Sequence, residues 1–133
     1  KARVDWMSDG TIPGGPALLA DERVTVVVAD VAVALAEARP ASYDLVLLDV
    51  DNGPGYLVHA GNAALYEPPA LTAAQAVLRP GGALVVWSMA ESADLEAAMR
   101  QVFGDVEALA QEVRLQERDE HYWLYVSRVR SDT

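Results

Sequence analysis

The chain has 133 residues, one domain's worth, and its 52% hydrophobic and 23% charged residues supply a packed core and exclude a disordered chain. It contains no cysteine, which excludes a disulfide scaffold, a zinc–cysteine site and a cysteine nucleophile. Ten basic against twenty acidic residues give a net charge of -10, which disfavours a nucleic-acid partner and suits a soluble protein with a cationic ligand.

No apolar run approaches the roughly 20 residues a membrane helix needs. The first ten residues lack the apolar centre of a signal peptide. A cytoplasmic location is therefore expected, without a membrane partner.

Residues 1–5 read as a strand stub, and 8–16 (SDGTIPGGP) as loop, because glycine, proline and aspartate punctuate the chain. Residues 1–20 are thus a stub and a loop ahead of an α/β domain over 21–133. Residues 23–29 (RVTVVVA) predict a buried strand, since valine favours the pleated surface and both faces are apolar. Asp30 follows it, and a short helix is expected over 31–38, stopped by Pro40. Residues 43–49 (YDLVLLD) predict a second apolar strand with an acid at its end. Residues 50–61 are glycine-rich and loop-like.

Pro68 and Pro69 mark a helix entry, where a missing N–H costs nothing. Ala70, Leu71, Ala74, Val77 and Leu78 follow at helical spacing, and Arg79-Pro80-Gly81-Gly82 is expected to end the helix and turn the chain. Residues 83–87 (ALVVW) predict a third buried strand. Ser92 reads as an N-cap with Asp94 and Glu96 in the first turn. Leu95, Ala98, Met99, Val102 and Phe103 line one helix face, and Gly104 closes it. Strands at about 106–116 and 121–129, with a turn at 118–120, make an antiparallel hairpin. This alternation predicts the α/β class: a Rossmann-like, mostly parallel sheet with helices on both faces and a C-terminal antiparallel hairpin.

Ligands of open α/β sheets bind beyond the carboxyl ends of the strands. Asp30 and Asp49 stand at two such ends. Asp30 reads as an acceptor for a ligand amine, such as an adenine amino group, or equally as a helix N-cap. The run Asp49-Val50-Asp51-Asn52-Gly53-Pro54 puts two carboxylates and an amide on one loop. Such carboxylates hold an ammonium group, and one can take a proton from an attacking amine. Their repulsion is expected to raise the pKa of one of them unless a cation lies between.

The bland alternative is turn chemistry, which favours the same residue types. Oxygen ligands also suit magnesium or calcium, but the spacing matches no calcium loop, and no metal is expected. Asn62 and Tyr66 follow as a lid, or else as a cap and a packing residue. His59 reads as a solvated loop residue. Trp87 either walls the ligand site or joins the core, and Trp123 and Tyr125 pack the hairpin. No G-x-G-x-x-G follows a strand, and neither a phosphate-binding P-loop nor a G-x-S-x-G elbow is present.

From residue 21 onward the chain resembles a known family. DERVTVVVADV, YDLVLLDVDNGP and LRPGGALVVWS look like the C-terminal two-thirds of a spermidine synthase-like protein, which has the class I S-adenosylmethionine-dependent methyltransferase fold. The resemblance implies sheet order 3-2-1-4-5-7-6. It implies that Asp30 and Val31 contact the adenine of the nucleoside substrate. Asp49 would orient or deprotonate the attacking amine, beside the same nucleoside. Asp51 or Asn52 would help hold the polyamine or the aminopropyl chain, and Tyr66, read above as a lid residue, is expected to contact the same substrate. The implied substrates are S-adenosylmethionine or its decarboxylated form, with a small-molecule amine as acceptor.

The family's strand-end motif usually reads Asp-Ser-Ser-Asp-Pro and is shorter here. The glycine-rich first loop and the first two strands of the fold are not found, so the domain reads as truncated, with a homodimer as a companion expectation. The expected activity is aminopropyl transfer. The alternatives are a small-molecule methyltransferase and a non-catalytic assembly domain.

Overall fold

The computed structural model describes residues 7–51 and 53–131. The chain divides into two compact units, Lys1–Val31 and Ala32–Thr133.

In the first unit, helix α1 spans Gly15–Ala20, with Gly14 in the left-handed conformation at its N-cap and a proline in its first turn. Asp21 then receives three hydrogen bonds from Arg23: from the backbone N–H at 2.9 Å, Nε at 3.0 Å and Nη2 at 2.8 Å. These bonds hold the exposed Asp21 carboxyl below its ordinary pKa, the side-chain contact first. The run 23–29 is not a strand, which corrects the sequence expectation. Val27 and Val28 stay 74% and 68% exposed. The physical reason is that β propensity needs a ladder partner and a surface to pack on, and the residues alone supply neither. The proposed stub at 1–5 lies outside the described residues.

Helix α2 (Val31–Glu37) follows, close to the predicted span. The second unit is built on a four-stranded sheet of β1 (Tyr43–Leu48), β2 (Leu78–Ser88), β3 (Glu107–Leu115) and β4 (Arg118–Arg128). The spatial order is β1-β2-β4-β3. β1 and β2 are parallel, whereas β2–β4 and β3–β4 are antiparallel. That order is the 4-5-7-6 part of the expected sheet. The parallel share is a single pair because residues 23–29 form no strand, so the sheet is mixed rather than mostly parallel.

The Arg79–Gly82 stretch also differs from expectation. Tyr43 pairs with Leu78, but Leu45 pairs with Ala83, so Asp44 alone faces the four intervening residues of β2. The turn is a bulge within the strand. Gly81 has φ +81°, and a Cβ on Gly82 would lie 3.0 Å from the Asp44 carbonyl oxygen, so the close approach to β1 favours glycine there.

Helices α3 (Pro68–Val77) and α4 (Ala93–Phe103) connect these strands. Leu71, Ala74 and Val77 of α3 and Leu95, Met99 and Phe103 of α4 are buried, matching the apolar spacing. Leu84, Val86 and Ser88 of β2, with Tyr125 and Ser127 of β4, are buried on one sheet face. Each large apolar side chain so buried contributes roughly 1.5–3 kcal/mol. The Gln75 amide donates to the Val102 carbonyl at 3.1 Å and ties the helices together.

Ser92 caps α4 as predicted, its Oγ accepting from the Leu95 N–H at 3.2 Å. The Ser92 N–H donates to the buried Tyr125 hydroxyl at 2.7 Å. Gly104 closes α4 at φ +87°. The hairpin turn lies one residue pair earlier than expected. Leu115 pairs with Arg118, and Gln116 and Glu117 carry φ +49° and +63°. A two-residue hairpin turn needs both φ values positive to match strand twist, and Gln-Glu hides that need because glycine and asparagine are its usual signals.

Candidate functional site

The loop after β1 is organised by a buried carboxylate. Asp51 is 5% exposed, although it follows the strand by only three residues. Its Oδ1 accepts from the Val58 N–H at 2.8 Å and from Asn62 Nδ2 at 2.9 Å. Its Oδ2 accepts from the Tyr66 hydroxyl at 2.7 Å. One side chain thus ties the strand end to the loop and to both ends of a 3-10 helix over Ala60–Tyr66.

Burial is the largest influence on Asp51 and raises its pKa. The bonds from Asn62, Tyr66 and Val58, with the nearby His59, outweigh it and leave the carboxyl below its ordinary value. Like-charge repulsion alone raises the value of one acid of such a pair, but Asp51 moves the other way. Three convergent donors, which the residue types do not announce, outweigh the charge of its neighbour.

Burial pushes the Tyr66 phenol far above its usual range, and the bond to Asp51 and the charges of Asp51 and Asp49 add to the shift. Tyr66 is therefore a fixed donor over the working pH range. Asp49 itself directly follows β1 and is exposed, so its carboxylate stands at the carboxyl edge of the sheet.

Two further contacts shape this edge. Gly53 has φ +108°, and a Cβ there would run into the Ser88 side chain at the end of β2. Ser88 Oγ donates to the Ala90 carbonyl at 2.6 Å, which fixes the chain leaving β2. His59 is exposed as expected, but it also caps the 3-10 helix, its Nδ1 accepting from the Gly61 N–H at 3.1 Å. That bond assigns the proton of a neutral ring to Nε2.

Of the residues singled out by sequence, the structure brings together Asp49, Asp51 and Tyr66. The expected substrate contacts of Asp51 and Tyr66 are, in this structure, contacts with each other. Asn52 lies outside the described residues. Asp30 and Val31 belong to the first unit, Asp30 exposed ahead of α2 and Val31 half-buried as its first residue. Trp87 is half-buried, and its ring stacks on Tyr122 with centroids 6.0 Å apart. Asn62 proves to be an Asp51 ligand rather than a helix cap. Val58 was missed altogether, because a backbone N–H carries no sequence signal. Among the described residues no group of three or more His, Asp or Glu is placed to hold a metal ion, and no helix is long and apolar enough to cross a membrane.

No protein-family model matches the sequence, and no curated protein sequence matches it. Solved structures do. A probable spermidine synthase from Corynebacterium glutamicum aligns over 90% of this chain and 43% of its own, with TM-score 0.62 and 19% identity. Spermidine synthase from Thermotoga maritima aligns over 91% of this chain and 38% of its own, with TM-score 0.62 and 12% identity. The Burkholderia thailandensis 1,6-didemethyltoxoflavin-N1-methyltransferase, solved with S-adenosylhomocysteine, aligns over 90% and 58%, with TM-score 0.58 and 19% identity.

The fold is therefore the α/β fold shared by spermidine synthases and S-adenosylmethionine-dependent methyltransferases, as the sequence resemblance implied. The chain spans 43%, 38% and 58% of the lengths of these three structures, less than two thirds of each.

Proposed function

We propose that this chain carries the amine-handling edge of a spermidine synthase-like transferase, which moves an aminopropyl group from decarboxylated S-adenosylmethionine to an amine. The observation that carries the reading is the division of labour between two acids. Asp51 is enclosed by donors and anchors the loop, while Asp49 stands exposed at the end of a parallel strand. An exposed carboxylate at a strand end suits an ammonium group or a proton in transit.

In the reaction the acceptor nitrogen attacks the aminopropyl carbon attached to sulfur. The new C–N bond forms as the C–S bond breaks, and the bonding pair leaves on the sulfur of neutral methylthioadenosine. The proton released by the alkylated nitrogen passes to Asp49. Asp49 also orients the amine, so positioning and charge stabilisation are its contributions. Asp51 and Tyr66 hold Asp49's loop in place. Asp30 and Val31 are the proposed adenine contacts. Asn52 is a proposed contact of the amine.

A second reading, methyl transfer from S-adenosylmethionine to a small molecule, draws support from the likeness to the 1,6-didemethyltoxoflavin-N1-methyltransferase named above. Incubation of the protein expressed from its complete gene with decarboxylated S-adenosylmethionine and putrescine separates the two. Release of methylthioadenosine, lost in Asp49→Asn, supports aminopropyl transfer. Turnover of S-adenosylmethionine alone to S-adenosylhomocysteine with an acceptor supports the second reading. No turnover with either refutes both.

A further inference from the structure

A groove of about 260 Å³ opens at the carboxyl end of β2, against the β3–β4 hairpin. Its walls include Trp87, Tyr122, Met89, Leu115, Glu120 and His121. Side chains alternate along strands, and Trp87 and Tyr122 alternate with the buried Ser88 and Tyr125. The groove rings therefore lie on the sheet face turned away from the buried core face.

The rings are stacked with an interplanar angle of 30°, which makes a broad aromatic wall. Met89 and Leu115 add apolar surface that is 44% and 59% exposed. Among the described residues, no hydrogen bond or ion pair engages the Glu120 carboxylate. Glu120 is the carboxylate among the residues that line the groove, whereas Glu112 lies outside that lining, 3.5 Å from His121.

We infer that this groove binds a small organic cation of the alkylated-ammonium class. A cation is attracted to the negative face of an aromatic ring, and in this stacked pair only a face not covered by the other ring is open to it. One carboxylate supplies the countercharge. A primary ammonium has three N–H donors, and the groove offers it the Glu120 carboxylate and the His121 ring among apolar and aromatic side chains, so part of its hydration is lost without replacement. A trimethylammonium group turns methyls to the rings and needs no hydrogen bonds. The net charge of -10 favours the approach of any cation. Trp87 follows Val86, the register partner of Leu48, so the groove adjoins the strand end that carries Asp49, but the inference does not depend on the amine reaction proposed above.

Choline is the probe, with 3,3-dimethylbutanol as its neutral isostere. The Trp87 indole N–H cross-peak, assigned by its loss in Trp87→Phe, reports on the groove. Choline is expected to shift that peak saturably, the isostere to leave it in place, and added salt to weaken the effect. Glu120→Gln and Tyr122→Leu are each expected to weaken choline binding by at least about threefold. Glu120 is exposed near the start of β4, so Glu120→Gln is expected to keep the fold, checked by circular dichroism. No saturable shift, equal binding of the isostere, or an indifferent Glu120→Gln overturns the inference. So does a Trp87 shift that follows protein concentration instead of choline, which would assign the groove to a second copy of the chain.

Discussion

Tyr66→Phe isolates one bond of the Asp51 cluster. It removes a hydroxyl that donates at 2.7 Å to a carboxylate 5% exposed, while keeping the ring that packs at the end of the 3-10 helix. A hydrogen bond to a charged group is worth about 1.5–3 kcal/mol net, and the two remaining donors keep Asp51 partly satisfied. A loss of about 2 kcal/mol is expected near neutral pH, which lowers the melting temperature by roughly 6–10 °C for a domain of this size.

The pH dependence follows from the direction of the Asp51 shift. Its folded pKa lies below the unfolded one, so its contribution is fully present above the unfolded value and is lost as pH falls through the folded value. Urea unfolding of wild type and Tyr66→Phe from about pH 7 down to about pH 2 reads both effects, since unfolded aspartate titrates near 3.9 and the folded carboxyl lies below its ordinary value. The gap between the two proteins is expected to close toward the acid end. A loss below about 0.5 kcal/mol at neutral pH, or a gap that stays constant across the titration, would refute the placement of Asp51 as the loop's charged anchor.

Three further outcomes are expected. Gly53→Ala combines a positive φ with a collision at Ser88, and it is expected to lower stability by about 2–4 kcal/mol in urea unfolding. Ser92→Ala removes the α4 cap and costs about 1 kcal/mol, read as a lower urea midpoint at unchanged slope. Replacing Gln116-Glu117 by Asn-Gly relieves two left-handed non-glycine residues and is expected to gain about 1 kcal/mol, checked by thermal unfolding.

The architecture was legible where local chemistry and tertiary packing agreed. Ser92 and Gly104 bracket α4 in sequence and in space, and the apolar spacing of Leu95, Met99 and Phe103 marks the face that is buried. The alternating C-terminal residues gave the hairpin and its direction, but not its turn, because Gln116 and Glu117 adopt positive φ without any residue that advertises it. Valines at 26–28 make a strand pattern that the fold does not use, since pairing depends on residues distant in sequence.

The candidate site shows the same boundary. An acid at the end of β1 was readable from YDLVLLD. Which of the two acids faces inward was not, because that is decided by Asn62, Tyr66 and the Val58 N–H, up to fifteen residues downstream.

The central claim is that this sheet edge serves a nucleoside sulfonium substrate. Calorimetric titration of methylthioadenosine into the protein expressed from its complete gene tests it most directly. Saturable one-to-one binding, weakened in Asp49→Ala and retained in the well-folded Ser92→Ala control, is the predicted result. Absence of binding by a protein that is folded by circular dichroism would contradict the account.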